Sequence, residues 1–244
     1  MAYHLVIDIG NSSAKVALFE ETTLAEHLRA EHEELPGLLA TMSGSIPRID
    51  CAILSSVIPL SAPLEEAVEG LPFPCLRMSS RLKMPFLVAY NTPETLGPDR
   101  LAAVAEAWAC KPGNDLLVID VGTAITYDVI TSEGIYLGGN ISPGIGMRFK
   151  ALHHFTGKLP LVDKEGERVD VGNTTDTAIR EGVLQGVDKE IEGYIREYSL
   201  KCPNLLVFLT GGGANLLANR TKNAIFADNL LVVKGLNRIL MLNK

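Results

Sequence analysis

The sequence lacks the features typical of membrane-bound, nucleic-acid-binding and disulfide-stapled proteins. No apolar run approaches the roughly 18 residues of a membrane span, so we expect no membrane partner. The first residues carry no basic segment of the kind that begins a signal peptide, so we expect none. No cluster of lysine or arginine offsets the formal net charge of −7, which disfavours nucleic acid as a partner. The four cysteines form no CxxC pair, so we expect reduced thiols in a cytoplasmic protein.

Several common catalytic motifs are also missing. There is no GxGxxG dinucleotide fingerprint and no GxSxG nucleophile elbow. No histidine or cysteine has metal-ligand spacing, so histidines such as His27 and His32 are predicted to be surface residues. Disorder is excluded because 47% of the residues are hydrophobic and 21% are charged, as in ordinary globular chains. A length of 244 residues fits one large domain or two smaller ones.

An internal echo favours two domains. Residues 5–10 (LVIDIG) return half a chain later as residues 117–122 (LVIDVG), each an apolar run followed by Asp-x-Gly and a nearby hydroxyl. A second β-rich run follows each copy, which predicts a strand, a tight turn and a second strand. The echo therefore predicts two related α/β lobes, and the turn at residues 111–114 divides them into 1–113 and 114–244.

The rest of the chain predicts further helices and strands in both lobes. Apolar residues at helical spacing predict helices at residues 24–43, 62–69, 99–108, 176–198 (with a break near Gly186) and 235–242. Short apolar runs predict buried strands at residues 51–57 and 205–209. The glycine-rich stretch from Thr210 to Ala214 predicts a loop.

The two Asp-x-Gly segments are candidate phosphate loops. In the first, small residues would let backbone N–H groups approach phosphate oxygens, and Ser12, Ser13 and Lys15 could add donors. Asp8 is a candidate Mg²⁺ ligand, directly or through water, because hard cations prefer carboxylate oxygens. The second loop runs from Asp120 to the hydroxyl of Thr123. Each loop alone could be a plain hairpin, but two loops facing each other would clamp a nucleotide.

A third motif, Gly97-Pro98-Asp99-Arg100, lies between the two loops and follows Tyr90. The Arg100 fork suits a carboxylate or a phosphate, and an ionised Asp99 at a helix start could serve as the base of a kinase. The alternative is a helix-capping Asp99 beside a surface Arg100. Residues 138–144 form a glycine-rich turn that is either a wall of the site or a simple connection.

The ordered motifs resemble those of the type III pantothenate kinases, in the acetate and sugar kinase/Hsp70/actin superfamily. The resemblance covers almost the whole chain, and Gly-Pro-Asp-Arg between the two loops is its most specific part. It implies an α/β fold with two related lobes of the actin-like ATPase (ribonuclease H-like) type and a nucleotide cleft between them. It also implies ATP-dependent phosphorylation of pantothenate, the first step of coenzyme A synthesis.

The resemblance also implies roles for individual residues. It assigns Asp99 as the catalytic base and Asp120 as the ligand of a monovalent cation, K⁺ or NH₄⁺, while Mg²⁺ would lie at Asp8. Family members are usually homodimers, and Thr174 is the alternative to Thr175 at the substrate. The ATP-binding residues would be Asp8, Ile9, Gly10, Asn11, Ser12, Ser13, Ala14, Lys15 and Thr123, and the pantothenate-binding residues Tyr90, Gly97, Pro98, Asp99, Arg100 and Thr175.

Two other functions stay open from the sequence. A different small-molecule kinase on the same frame would keep the nucleotide loops and change only the pocket around Tyr90, Asp99 and Arg100. An ATP-gated regulatory or interaction module would turn over ATP slowly without a small-molecule acceptor.

Overall fold

The computed structural model describes residues 2–45, 49–213 and 225–244, except for the side chains of residues 45 and 225. The chain divides into two compact units. The first contains residues 1–113, 130–138 and 230–244, and the second contains residues 114–129 and 139–229. The C-terminal residues therefore belong with the first unit, whereas the sequence-based division at residue 113 puts them with the second half.

Eleven strands and six helices are present in the described ranges. The strands are β1 (Tyr3–Ile9), β2 (Ala14–Glu20), β3 (Thr23–Ala30), β4 (Cys51–Ser56), β5 (Cys75–Arg77), β6 (Leu87–Val88), β7 (Leu116–Val121), β8 (Ala124–Ile130), β9 (Ile135–Pro143), β10 (Leu206–Thr210) and β11 (Ile225–Ala227). The helices are α1 (Leu35–Ser45), α2 (Ala62–Glu69), α3 (Pro98–Cys110), α4 (Ile145–His154), α5 (Thr175–Lys201) and α6 (Leu231–Asn243), and a short 3-10 helix covers Pro93–Thr95.

The sheet of the first unit has the strand order β3-β2-β1-β4-β5. The strands β1, β2 and β3 are antiparallel neighbours, while β4 is parallel to both β1 and β5. Side chains alternate between the faces of a strand, so Ile7 and Ile9 enter one apolar core while Asp8 points to the opposite face. On that opposite face His4 of β1 contacts Asn237 of α6, and α6 packs against α3. Asp8 is therefore on the face of the sheet that carries α3.

Helices α3 and α6 pack backbone against backbone. A Cβ added at Gly235 of α6 would overlap the Ala102 carbonyl of α3, so only glycine fits at this crossing. Arg238 of α6 also donates from Nε to Glu106 Oε2 of α3 at 2.9 Å. These contacts fix the position of α3, which carries the predicted base.

The second unit is built around the strand order β11-β10-β7-β8-β9. Strand β10 is parallel to β7 and β11, and the apolar face of the sheet packs against α4 and α5. Within the first unit, β6 pairs in parallel with the first residues of β9, Ile135 and Tyr136.

The structure confirms the predicted α/β fold and corrects the helix predicted at residues 24–43. That segment is the edge strand β3 followed by α1, because Pro36 cannot occupy a helix interior and is accommodated in the first turn of α1. The break predicted near Gly186 is also wrong, since α5 continues for 27 residues through Gly186. The predicted helix at 62–69 is confirmed as α2, while Ala214 of the predicted loop lies outside the described residues.

Candidate functional site

The first Asp-x-Gly loop is a tight hairpin turn between β1 and β2. The N–H of Gly10 donates to the Ser13 carbonyl at 3.1 Å, and a Cβ at Gly10 would lie 3.2 Å from that oxygen. The turn places Asp8 directly opposite Lys15 in the antiparallel pair. Directly opposite residues share a face of the sheet, so the carboxylate and the ammonium belong to the same side of the hairpin.

Asp8 lies in an environment that penalises its charge. Its side chain is buried, and burial raises its pKa from 3.8 to about 6. The positive charge of Lys15 lowers this pKa, and the negative charge of Asp99 raises it. The buried Ser55 hydroxyl next to Asp8 also lowers the pKa, although it forms no hydrogen bond of ordinary geometry. The structure thus brings Lys15 and Asp99 within electrostatic range of Asp8.

This loop is held from β3 and the turn after it by Arg29, which the sequence did not single out, and by His32, which was predicted to be a surface residue and is half-buried. Arg29 donates from Nε to the Ser13 hydroxyl at 2.9 Å, and His32 Nε2 donates to the Gly10 carbonyl at 3.0 Å. The pairing of β2 with β3 brings them there. No local motif predicts these contacts, because they depend on the strand β3, and the sequence predicted a helix at residues 24–43.

The Gly-Pro-Asp-Arg motif forms the start of α3. Pro98 is the first helical residue, where a missing N–H costs nothing, so the N-cap is Gly97 and not Asp99. Asp99 Oδ1 accepts from the Arg100 N–H at 2.9 Å, and a Cβ at Gly97 would lie 2.6 Å from that carboxylate oxygen. Gly97 therefore leaves the space that the Asp99 side chain occupies.

Arg100 is buried, with 5% of its surface exposed. Its guanidinium carbon lies 5.9 Å from the centre of the Tyr90 ring, within cation–π range. The Tyr90 ring in turn covers Gly138, where a Cβ would be 2.8 Å from a ring carbon and where φ is +99°. Asp99 is therefore not the N-cap residue and Arg100 is not a surface residue, so the alternative interpretation is wrong on both points.

The second Asp-x-Gly loop joins β7 to β8 in the second unit. Gly122 donates to the Ala124 carbonyl at 3.1 Å, which closes the turn. Gly211 follows β10 with a φ of +88°, and a Cβ at this position would collide with a side-chain oxygen of Asp120. Gly213 donates to the Val121 carbonyl at 3.0 Å. Gly211 and Gly213 are thus required for close packing against the second loop, whereas a Cβ at Gly212 would meet nothing within 4 Å.

Residues 138–143, predicted as part of a turn, belong to strand β9, and Gly144, the N-cap of α4, contacts the second loop. Gly144 donates to the Thr123 carbonyl at 3.0 Å, and a Cβ there would overlap that carbonyl. Glu190 of α5 holds the end of β9, since it accepts from Ser142 Oγ at 2.5 Å and from Arg148 at 2.6 Å. Tyr127 also donates to Glu190 at 2.7 Å. This network joins β8, the end of β9, α4 and α5 behind the second loop.

Thr174 and Thr175 have different structural roles. Thr174 is the N-cap of α5, and its hydroxyl takes part in a reciprocal capping box with Thr177. Thr175 is the first residue of the helix and is exposed. The hydroxyl of Thr174 is therefore used by the helix itself.

Protein side chains alone do not enclose a metal in the described part of the chain. No group of three or more His, Cys, Asp or Glu side chains there could hold an ion. Asp8 and Asp120 each offer hard carboxylate oxygens, which suit Mg²⁺ or a monovalent cation that takes its other ligands from phosphate or water. The donor chemistry therefore fits cations that arrive with a nucleotide.

The two units together define a class of protein. Over 99% of both chains, the fold is similar to a ROK family glucokinase from Streptomyces griseus solved with glucose and AMPPNP, at a TM-score of 0.57 and 12% identity. It is also similar, over 97% of both chains, to a Campylobacter jejuni protein described as a Baf family transcriptional activator, at a TM-score of 0.64 and 25% identity. The fold is that of the actin-like ATPase and ROK sugar-kinase class.

Sequence comparison gives the family within this class. The family model for type III pantothenate kinase matches residues 4–197, and the chain belongs to this family. It is 50% identical over 240 residues to a type III pantothenate kinase of Bacteroides fragilis strain YCH46, covering 98% of both chains. It is 42% identical over 249 residues to that of Porphyromonas gingivalis strain W83, covering 100% of both.

No helix in the described ranges is long and apolar enough to span a membrane.

Proposed function

We propose that this chain transfers the γ-phosphoryl group of ATP to the terminal hydroxyl of pantothenate, the first step of coenzyme A synthesis. Membership of the type III pantothenate kinase family supports the reaction. The single structural observation that carries it is the grouping of Asp8, Lys15 and Asp99 in the first unit. Lys15, a candidate phosphate-binding cation, and Asp99, a candidate base, therefore both lie near Asp8, and phosphoryl transfer uses groups of these two kinds.

In this mechanism the chain positions the reactants and neutralises charge. Asp99 accepts the proton of the pantothenate hydroxyl while the oxygen of that hydroxyl forms a bond to the γ-phosphorus of ATP. The bond from that phosphorus to the bridging oxygen breaks, and ADP leaves. Lys15 and N–H groups of the first loop other than that of Gly10, which bonds the Ser13 carbonyl, stabilise the phosphate charge. Tyr90, packed on Gly138 and beside Arg100, forms a wall of the pantothenate pocket.

The cations belong to the same proposal. Mg²⁺ held by Asp8, directly or through water, would neutralise phosphate charge when bound, and a potassium or ammonium ion would do so at Asp120. A bound cation would offset the cost of burying the ionised Asp8 carboxylate, whose pKa is raised to about 6 by burial. Thr175 is the substrate-contacting threonine, and the use of Thr174 in helix capping supports that choice.

We also propose a homodimer in the cytoplasm. The second unit exposes several large apolar side chains, which supports a partner surface: Ile141, Met147, Phe155, Leu161 and Val171. The four cysteines are all free thiols, which supports a reducing compartment.

The Asp99→Asn variant tests the assigned base. Because it keeps the size of the side chain and its hydrogen bond to the Arg100 N–H but cannot accept the proton, we expect kcat to fall about 100-fold or more while ATP affinity changes little. Coupled ADP detection with pantothenate, glucose and other hydroxyl acceptors measures both the rate and the substrate. Near-normal turnover in this variant would contradict the role of Asp99. A preference for another acceptor would favour a different kinase of the same class.

A further inference from the structure

Four polar residues form a row across the sheet of the first unit. Arg29 of β3 is directly opposite Lys15 of β2, Lys15 is opposite Asp8 of β1, and Asp8 neighbours Ser55 of β4. Residues paired in this way point to the same face. Neighbouring strands lie about 4.8 Å apart, so Arg29 stands roughly 10 Å from Asp8 along the row.

Exposure increases along this row from its carboxylate to its outer end. Asp8 is buried, Lys15 is half-buried and Arg29 is exposed on the edge strand. The row therefore leads from the buried Asp8 carboxylate out to solvent and carries two positive charges. A chain of phosphates that begins at Asp8 would meet Lys15 first and Arg29 next.

The contact between Arg29 and Ser13 also sets the direction of a hydrogen bond. Arg29 Nε donates to Ser13 Oγ at 2.9 Å, so the hydroxyl oxygen is the acceptor and its own proton can be donated elsewhere. A guanidinium carries five N–H donors in a planar fork, and this contact uses only the one on Nε. The arrangement presents a hydroxyl donor and a cation at the same loop.

We propose that Arg29 is a second phosphate-binding cation of this site, which orients the Ser13 hydroxyl as a donor and binds the nucleotide's phosphates through its guanidinium. The inference rests on the proposed use of ATP and extends it to a residue outside the Asp-x-Gly motif. Such a cation would recognise the polyphosphate and not the base or the sugar.

The test measures equilibrium binding of ATP, ADP and adenosine to the full chain by calorimetry, without pantothenate. We expect Arg29→Ala to weaken ATP binding about tenfold, to weaken ADP binding less, and to leave adenosine binding within twofold. Arg29→Lys keeps the charge but not the fork, so its affinity for ATP should be intermediate. Arg77→Ala is the matched control, because Arg77 is an exposed arginine of the same sheet whose ion-pair partner is Glu65.

A double-mutant cycle separates direct phosphate contact from support of the loop. If Arg29 binds phosphate itself, Ser13→Ala with Arg29→Ala should bind ATP several-fold more weakly than Ser13→Ala alone. Equal affinity of these two variants, or an equal loss for adenosine and ATP, would overturn the proposal. Binding of ATP to Arg29→Ala within twofold of the unmodified chain would also overturn it. If pantothenate is not phosphorylated but Arg29→Ala still weakens ATP binding selectively, the proposed reaction fails and the role of Arg29 stands.

Discussion

Replacement of Asp8 by Asn should stabilise the first unit while it impairs the site. Burial raises the pKa of Asp8 from 3.8 to about 6, so the folded chain binds a proton more tightly there than the unfolded chain does. The contribution of this group is therefore most favourable below pH 3.8, and stability is lost as the pH rises through about 6. Removing the carboxylate removes that loss.

The magnitude follows from the shift. At 1.36 kcal/mol per pKa unit, a shift of about two units destabilises the folded state by about 3 kcal/mol once Asp8 is fully ionised. By the linkage relation, the ionisation of Asp8 lowers the free energy of unfolding by about 1 kcal/mol at pH 4.5 and by about 3 kcal/mol at pH 8. The advantage of Asp8→Asn in the free energy of unfolding should therefore grow by about 2 kcal/mol between these pH values.

Urea unfolding monitored by tryptophan fluorescence measures this effect, because the single tryptophan, Trp108, belongs to the same unit as Asp8. The Asn side chain itself adds an offset that does not depend on pH, so the slope against pH is the diagnostic quantity. Glu94→Gln is the control, since it removes one carboxylate from an exposed position of that unit. A difference between Asp8→Asn and the unmodified chain that stays constant from pH 4.5 to 8 would refute the argument from burial.

Two further predictions concern the second unit. Gly144→Ala should weaken ATP binding at least tenfold, because the added methyl would overlap the Thr123 carbonyl and displace the second loop. Calorimetry measures the affinity for ATP. Gly146→Ala is the control, since a Cβ there meets nothing within 4 Å. The Arg168 guanidinium and the Val169 N–H lower the pKa of Glu181 to about 2, so its stabilising contribution is present above pH 4.5 and is lost as the pH falls toward 2. Glu181→Gln should therefore flatten the acid side of the stability profile of that unit in thermal unfolding, and an unchanged acid limb would contradict this assignment.

The local structure of the candidate site could be predicted from the sequence, but the contacts that depend on strand pairing could not. Asp-x-Gly between two β-rich runs specifies a hairpin by itself, and Gly97-Pro98 specifies a helix start. Arg29 was missed because its place beside Ser13 depends on the pairing of β2 with β3, and residues 23–30 have too little apolar alternation to predict an edge strand. An edge strand is stabilised by backbone pairing on one side more than by buried side chains, so its sequence signal is weak.

The similarity between the segment at residues 5–10 and the segment at residues 117–122 extends further in the structure than in the sequence. Asp8 neighbours Ser55 on the parallel strand β4, and Asp120 neighbours Thr210 on the parallel strand β10. In the described residues, these two hydroxyls are the buried side-chain oxygens without a hydrogen-bond partner. A hydroxyl beside a carboxylate is a potential hydrogen-bond donor to it, and the Ser55 hydroxyl lowers the pKa of Asp8. The strands that carry Ser55 and Thr210 share no motif, and only the pairing of each with its Asp-x-Gly strand shows that the two units repeat the same aspartate–hydroxyl arrangement.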